Sequence, residues 1–343
     1  MTEISTDLRD ADRIFISRAL QLAACGAGFV SPNPMVGAVI VAPDGRIIGE
    51  GWHRRFGGPH AEVNAVASVK ESDRRLIPQS TIYVTLEPCS HYGKTPPCAK
   101  LLAECKFKRV VAAMVDPNPK VAGRGINMLV EAGIEVECGI MEDEARQLNR
   151  RFITAQREGR PWIQLKWCES ADGFIGTTDS AGNPLPVRLS TPLTSVWMHR
   201  ERTMADAIVV GSGTALSDRP RLTPRLWPGR SPLRVVADRR KRIDLDSLFP
   251  DGKAIRIGDG GESLPEAVAR IGKDHSVGAI MVEGGATLMQ AFIDQNLFDE
   301  IRIERSPRRL GGGVPAPRLH PGQATEESAF IFPDRTSVRV LRR

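Results

Sequence analysis

Two layered α/β domains in series are what this sequence predicts, and three observations carry the prediction. The chain has 343 residues, more than one ordinary hydrophobic core holds. Strand-like runs rich in β-branched residues alternate with helix-like stretches along most of its length, the pattern of layered α/β folds. The series breaks once, at "GRP" (159–161), and then starts again. A boundary is expected near residues 150–160, with domains over 1–150 and 155–343.

A helix opens the chain over "DADRIFISRALQLAACGAG" (10–28). "MVGAVIVA" (35–42) is a continuous β-branched strand, turned by "PDGR" into "IIGEGWH". "HAEVNAVASVK" (60–70) has helical spacing. "TIYVTLE" (81–87) is a strand that delivers "PCSHYGKTPPC" at its end. "RVVAAMV" (109–115) and "IEVECGI" (134–140) are strands with a helix near "GINMLVEAG" between them, and one helix is expected through 142–159. In the second half the strands are "WIQLKW" (162–167), "AIVVGSG" (207–213), "LRVVAD" (233–238), "GAIMVEGG" (278–285) and "EIRIER" (300–305). The tail "EESAFIFPDRTSVRVLRR" shows no clear pattern, and no repeat of solenoid period stands out.

Composition narrows the function. Hydrophobic residues make up 41% and charged residues 26%, as in folded globular proteins. No apolar run approaches the ~18 residues of a membrane span, and "MTEISTDLRDADRIF" has no apolar signal core. A cytoplasmic location and no membrane partner are expected. The six cysteines are too few and too irregular for a secreted disulfide scaffold; Cys25, Cys105 and Cys138 are expected to fill the core. A net charge of +6 suits nucleic acid and small phosphorylated ligands equally. Nine basic residues lie between Arg219 and Arg242. With aromatics at 5% and two tyrosines, stacking platforms for single strands are scarce. A small phosphorylated ligand is the expectation, and no nucleic acid.

The chemistry is legible at "PHAEVNA" (59–65) and "PCSHYGKTPPC" (88–98). His60 offers an imidazole, and Cys89 and Cys98 offer two thiolates. Those are three ligands of the kinds zinc prefers, with a fourth position left for water, as in catalytic sites. Zinc lowers the pKa of a bound water to about 7. Glu62, two residues from His60, can take that water's proton and pass it to a departing amine. Zinc deaminases carry H-x-E with P-C-x-x-C; here Cys89 follows Pro88, but eight residues separate the cysteines. A purely structural zinc site would need a fourth protein ligand, for which only His91 is at hand.

"PNPMVGAVIV", "GWHRRFGGPHAEVNA", "YVTLEPCSHYGKTPPC" and "DPNPKVAGRG", in this order, resemble the deaminase half of the bifunctional riboflavin-biosynthesis deaminase–reductase family. That family has the longer cysteine spacing. The resemblance implies a cytidine-deaminase-like α/β/α domain with zinc on His60, Cys89 and Cys98 and catalysis by Glu62. It also implies substrate contacts at Asn33, His53, Lys94 and Thr95, the last two as phosphate ligands.

In the second half, "AIVVGSGTAL" and "MVEGGATLMQAF" each run from strand through glycine turn to helix, placing backbone N–H groups where a phosphate can sit. "RRKR" after "VVAD" offers charge for the extra phosphate of NADPH. "LKWCESADGFIG", "VVGSGTALSDRPRLTPR" and "VEGGATL" are similar to the reductase domain of the same family. The resemblance implies a dihydrofolate-reductase-like α/β domain that uses NADPH. By position, Arg202, Leu222, Arg225 and Glu283 match substrate contacts. Glu169, Thr214, Asp218, Arg239 and the segment from Gly285, Ala286, Thr287 and Leu288 to Ala291 match cofactor contacts. Lys166 and Asp172 fall in a stretch that shapes the reaction centre. Arg188 falls near a family tryptophan, and Arg219 replaces a second aspartate. The whole implies a homo-oligomeric enzyme with two small phosphorylated pyrimidine substrates. It deaminates the diaminopyrimidinone ribotide and then reduces the ribosyl group to ribityl.

Overall fold

The computed structural model describes residues 3–92, 96–119 and 121–343. They form two compact units, Met1–Gly159 and Arg160–Arg343.

The first unit begins with α1 (Glu3–Ala24), β1 (Gly37–Val41), β2 (Ile47–Trp52) and α2 (Ala61–Ser68). A 3₁₀ stretch (Glu71–Gln79) then leads to β3 (Thr81–Val84) and α3 (Cys98–Glu104). The unit ends with β4 (Arg109–Ala112), α4 (Arg124–Glu131), β5 (Glu135–Cys138), α5 (Glu142–Leu148) and α6 (Arg150–Glu158). Its sheet has the order β2-β1-β3-β4-β5. β1 runs antiparallel to both neighbours, and β3, β4 and β5 are parallel. Successive strand residues point to opposite faces. Ile40, Ile82 and Val110 therefore pack with Ala61, Ala65, Leu102 and Leu129 on one side. Val39, Tyr83 and Val111 pack with Ile16, Ala19 and Ala145 on the other.

Glycine sets how closely the helices approach. A Cβ on Gly51 would stand 2.3 Å from Ala65 N and 2.5 Å from Ala61 O, so α2 lies against bare β2 backbone. A Cβ on Gly37 would stand 2.0 Å from Ala19 O, which seats α1 in the same way. Arg109 ties β4 to α1 through paired bonds to Asp12 of 2.8 and 2.9 Å, and Asp12 also accepts Tyr83 Oη at 2.8 Å.

Several elements differ from the sequence expectation. α1 starts earlier and stops at Ala24, because Gly28 turns at φ +79° and Gly26 abuts His53 O. The helix expected through 142–159 is two helices. The break falls at Asn149, whose buried side chain accepts Met35 N at 2.8 Å and donates to Met35 O at 2.9 Å. Cys25 and Cys138 are exposed instead of filling the core.

The second unit contains β6 (Trp162–Glu169), β7 (Phe174–Thr178), β8 (Pro184–Leu185), α7 (Pro192–Thr203), β9 (Ala207–Gly211) and α8 (Ser212–Asp218). Next come β10 (Leu233–Ala237), α9 (Leu245–Leu248), β11 (Ala254–Ile257), α10 (Leu264–Asp274), β12 (Ala279–Val282) and α11 (Ala286–Asp294). β13 (Glu300–Arg305), β14 (Val314–Pro315), β15 (Thr325–Ile331) and β16 (Ser337–Arg342) complete it. The main sheet has the order β11-β10-β9-β12-β6-β13-β16-β15. Its first six strands are parallel, and the patternless tail forms the antiparallel hairpin β15–β16. α7 and α10 open on capping boxes, Thr191 with Thr194 and Ser263 with Glu266. No helix among the described residues is long and apolar enough to cross a membrane.

Gly51→Val should force α2 away from β2. Overpacking of this kind costs about 1–3 kcal/mol, and α2 follows directly on His60 and carries Glu62. A lowered Tm and reduced zinc retention after dialysis are expected, with Gly260→Ala, where nothing lies within 4 Å, as the neutral control. A Gly51→Val protein with wild-type Tm and full zinc would show that the helix can retreat without cost.

Candidate active sites

His60 is the residue at which the chain enters α2, in extended conformation, and Glu62 sits in the helix's first turn. Cys98 opens α3 directly after Pro97. Cys89 lies in the loop after β3, where its carbonyl accepts Ala99 N at 3.1 Å. These elements bring His60 Nδ1 to 3.6 Å from Cys89 Sγ and 3.3 Å from Cys98 Sγ. Tetrahedral zinc with bonds of ~2.0 Å to nitrogen and ~2.3 Å to sulfur requires N···S separations of about 3.5 Å. The triangle fits that ion. Cys98 N also donates to Cys89 Sγ at 3.3 Å, a bond that favours the thiolate. Among the described residues no fourth histidine, cysteine or acid joins the cluster. One position is left for water, and His91 does not take it.

The electrostatics agree with metal ligation. The Cys98 thiol and then His60 lower Cys89 to about 4, while the neighbouring Cys89 pushes Cys98 upward. Zinc binds both cysteines as thiolates and so releases any proton they hold. Glu62 is 3% exposed, and burial raises its pKa above the carboxylate range. It lies within hydrogen-bonding reach of Cys98. A buried carboxyl beside the metal ligands can accept and return a proton.

His53 and Asn33 form a second polar pair. Pro59 O can only accept, so the 3.0 Å contact puts the His53 proton on Nδ1. Nε2 then accepts from Asn33 Nδ2 at 3.3 Å, leaving the Asn33 oxygen for a ligand. Burial holds His53 below its ordinary pKa. Lys94 and Thr95 lie outside the described residues.

One supporting residue escaped the sequence reading. Glu87 is buried two positions before Cys89 and accepts Asp116 N at 3.1 Å, Gly123 N at 2.9 Å and Gly125 N at 2.8 Å. It thereby pins the Cys89 loop to the start of α4. Gly125 is needed there, because a Cβ would stand 1.9 Å from Pro88 O. The signal was a carboxylate at the end of a buried strand.

In the second unit two cavities lie at the carboxyl ends of the parallel strands, where such sheets bind ligands. One, of about 500 Å³, is walled by Thr214, Arg239, Arg240, Arg242, Gly285, Thr287, Leu288 and Ala291, among others. The other, of about 980 Å³, is walled by Lys166, Arg188, His199, Asp218, Arg225, Glu283 and Ala286, among others. Gly213, Thr214, Arg242, Gly285 and Thr287 belong to both. Glycine matters at this seam, since Gly285 has φ +79° and a Cβ on Gly284 would meet Thr214 Cγ2 at 2.9 Å. Three arginines at glycine turns suit a dinucleotide with an extra phosphate. Lys241 stands outside the walls and pairs with Asp259 at 3.6 Å, whereas Arg242 reaches Ser212 Oγ at 2.6 Å.

Not every expected contact faces a cavity. Leu222, at φ +53°, is buried in the cluster with Ile208 and Val236. Glu169 is engaged by Arg305 at 2.8 Å and by Trp167 Nε1 at 2.9 Å, and lines neither cavity. Asp172 accepts Ser170 Oγ and the backbone N–H groups of Leu310 and Gly311, which hold it well below the usual carboxylate range. It anchors a loop outside the cavity walls. Arg202 forms a two-bond pair with Glu283, at 2.8 and 2.6 Å. Burial alone would raise Glu283, but the pair lowers it. Lys166 Nζ faces the cavity 3.4 Å from the buried Glu304, which also accepts Ser190 and Thr194 hydroxyls. Arg219 ends α8 in left-handed conformation and lines neither cavity.

Both units match known proteins. Residues 9–114 match the cytidine and deoxycytidylate deaminase zinc-binding region, and residues 161–328 match the RibD C-terminal domain. The riboflavin biosynthesis protein RibD of Escherichia coli is 38% identical, over 88% of this chain and 89% of its own. That of Aquifex aeolicus is 34% identical over 90% of each chain. The solved structure of Acinetobacter baumannii RibD has a TM-score of 0.85 at 32% identity, covering 97% of this chain and 99% of its own. A Thermotoga maritima structure, described as a diaminohydroxyphosphoribosylaminopyrimidine deaminase/5-amino-6-(5-phosphoribosylamino)uracil reductase, has a TM-score of 0.84 at 33% identity over the same shares. The first unit is a cytidine-deaminase-like α/β/α domain with a zinc-binding region, and the second is a dihydrofolate-reductase-like domain that uses NADPH. The chain belongs to the RibD family of riboflavin biosynthesis enzymes, which join a deaminase and a reductase in one polypeptide.

Proposed function

We propose that the first unit hydrolyses the amine of 2,5-diamino-6-ribosylamino-4(3H)-pyrimidinone 5′-phosphate, and that the second reduces the resulting 5-amino-6-(5-phosphoribosylamino)uracil to its ribityl product. The observation that carries this reading is the His60–Cys89–Cys98 triangle with Glu62 buried beside it. Zinc held there supplies a water acidic enough to ionise at neutral pH. Glu62 accepts the proton of the attacking water and returns it to the leaving nitrogen, so that C–O replaces C–N and ammonia departs. Asn33, fixed by His53, orients the pyrimidine, and Lys94 and Thr95 take the ribotide phosphate.

In the second unit NADPH supplies the hydride. Arg239, Arg240 and Arg242 meet the cofactor phosphates, and Thr214, Asp218 and the Gly285–Leu288 turn position the rest. Glu283, oriented by Arg202, binds the substrate with Arg225. Lys166, held by Glu304, donates a proton to the ribose ring oxygen as the C1′–O bond opens and C1′ receives the hydride, which gives the ribityl chain. A reducing, cytoplasmic compartment suits the two thiolate ligands. Self-association into a homo-oligomer is supported by the edge strand β15, which exposes Phe330 and Ile331 at 53% and 80%.

Glu62→Gln keeps the size of the side chain but cannot accept a proton. Deamination should fall by ~10²–10⁴-fold with zinc stoichiometry unchanged and reduction of the uracil substrate intact; near-normal deamination would remove Glu62 from the mechanism. Arg239→Ser/Arg240→Ser should weaken NADPH binding, measured by titration of nucleotide fluorescence, while NADH binding changes little. Each lost charge-assisted bond is worth about 1.5–3 kcal/mol. Unchanged discrimination would mean that the 2′-phosphate is read elsewhere on the wall.

A further inference from the structure

His199, on α7, lines the larger cavity of the second unit, yet no motif pointed to it. Its Nδ1 lies 2.8 Å from Leu226 N. A backbone N–H can only donate, so Nδ1 accepts and the neutral ring carries its proton on Nε2. The group facing Nε2 is Arg202 Nη1 at 3.5 Å, a guanidinium nitrogen that donates to Thr223 O at 3.0 Å and cannot accept. The Nε2–H therefore has no acceptor among the described residues.

Its surroundings are cationic. Arg188 and Arg225 line the same cavity, and among the described residues neither makes an ion pair. Arg225 is held below its ordinary pKa by burial and by Arg202, Arg221 and Arg188. The same burial, with Arg202 and Arg225, pushes His199 down to about 4, so it stays neutral. Glu283 on the same wall is engaged by Arg202, which leaves Arg188, Arg225 and the His199 Nε2–H as donors that suit an anionic ligand. A neutral donor adds a hydrogen bond without adding to the repulsion among the guanidinium groups, which a lysine at this position would do.

We propose that His199 is a specificity-determining residue of the reductase, donating its Nε2–H to the phosphate of the pyrimidine substrate beside Arg225 and Arg188. This rests on the reductase reading above. The Leu226 bond fixes the tautomer that makes the donation possible, which joins the loop after Leu222 to substrate choice.

Two substitutions separate donation from loop support. His199→Asn places an amide oxygen near the Nδ1 position, keeps Leu226 N–H satisfied and removes the donor. His199→Gln places an amide nitrogen near Nε2 and forgoes the Leu226 bond. Reduction by the full chain is measured with the phosphorylated substrate and with its dephosphorylated analogue. His199→Asn should raise KM for the phosphorylated compound about tenfold or more and leave the analogue's KM unchanged. His199→Gln should keep a KM near wild type despite a lower Tm. In ¹⁵N spectra of histidine-labelled protein, the His199 proton should reside on Nε2 and respond to the phosphorylated ligand alone. A ring protonated on Nδ1, equal losses of His199→Asn on both compounds, or identical behaviour of the two variants would overturn the proposal and leave His199 as a loop anchor. Wild-type protein that reduces neither compound would overturn the reductase reading first, and this inference with it.

Discussion

Bare backbone contact at glycine is the constraint on which both sites depend. α2 can deliver His60 and Glu62 only because Gly51 lets it lie on β2 with no side chain between them. The Cys89 loop can reach the start of α4 only because Gly125 has no Cβ to meet Pro88 O. In the second unit Gly284 lets the turn before α11 touch Thr214, closing the seam shared by the two cavities. At Gly51 and Gly125 the contact holds backbone against backbone, which side-chain rotation cannot loosen, and at Gly284 it seats backbone on the Thr214 side chain. Glycine costs chain entropy on folding, and here that cost is offset by the fixed positions of reacting groups.

Charge is divided along the same lines. Buried groups that hold the structure have their partners: Asp12 with Arg109, Glu87 with backbone N–H groups, Glu283 with Arg202. Those pairs leave no uncompensated charge, which would otherwise cost several kcal/mol. Groups facing the cavities are different. Arg188 and Arg225 make no ion pair among the described residues, and His199 has a proton with nowhere to go. The paired charges build the scaffold, and the unpaired donors on the larger cavity's wall suit an anionic ligand.

Much of this was legible in the residues. His60, Glu62, Cys89 and Cys98 could be grouped before any fold was known, because zinc chemistry restricts ligand types and leaves a recognisable spacing. Most of the parallel strands were equally visible as short β-branched runs, but β11, a four-residue edge strand that is only partly buried, was not expected. What could not be read depended on tertiary direction. Leu222 turns into the core at φ +53°, and Asp172 turns to backbone N–H groups, although both lie in family-like motifs. "RRKR" predicted a basic wall but not that Lys241 would face out and Arg242 in. The final hairpin was hidden because β15 is exposed along nearly its whole length and lacks the alternation of a half-buried strand.

Asn149 carries a consequence for separating the two activities. Its side chain forms both halves of an amide-to-backbone pair with Met35, two residues beyond Asn33. The loop that carries Asn33 is thus hitched to a residue far along the chain, just before α6, a helix that buries none of its own residues. A genetic division of the enzyme would have an asymmetric tolerance. Polypeptide after Asn149 can be trimmed with little lost from the deaminase core, whereas a cut a single position earlier would leave the loop's peptide group without its partner. Natural or engineered splits of such a gene should therefore fall on the carboxyl side of this asparagine.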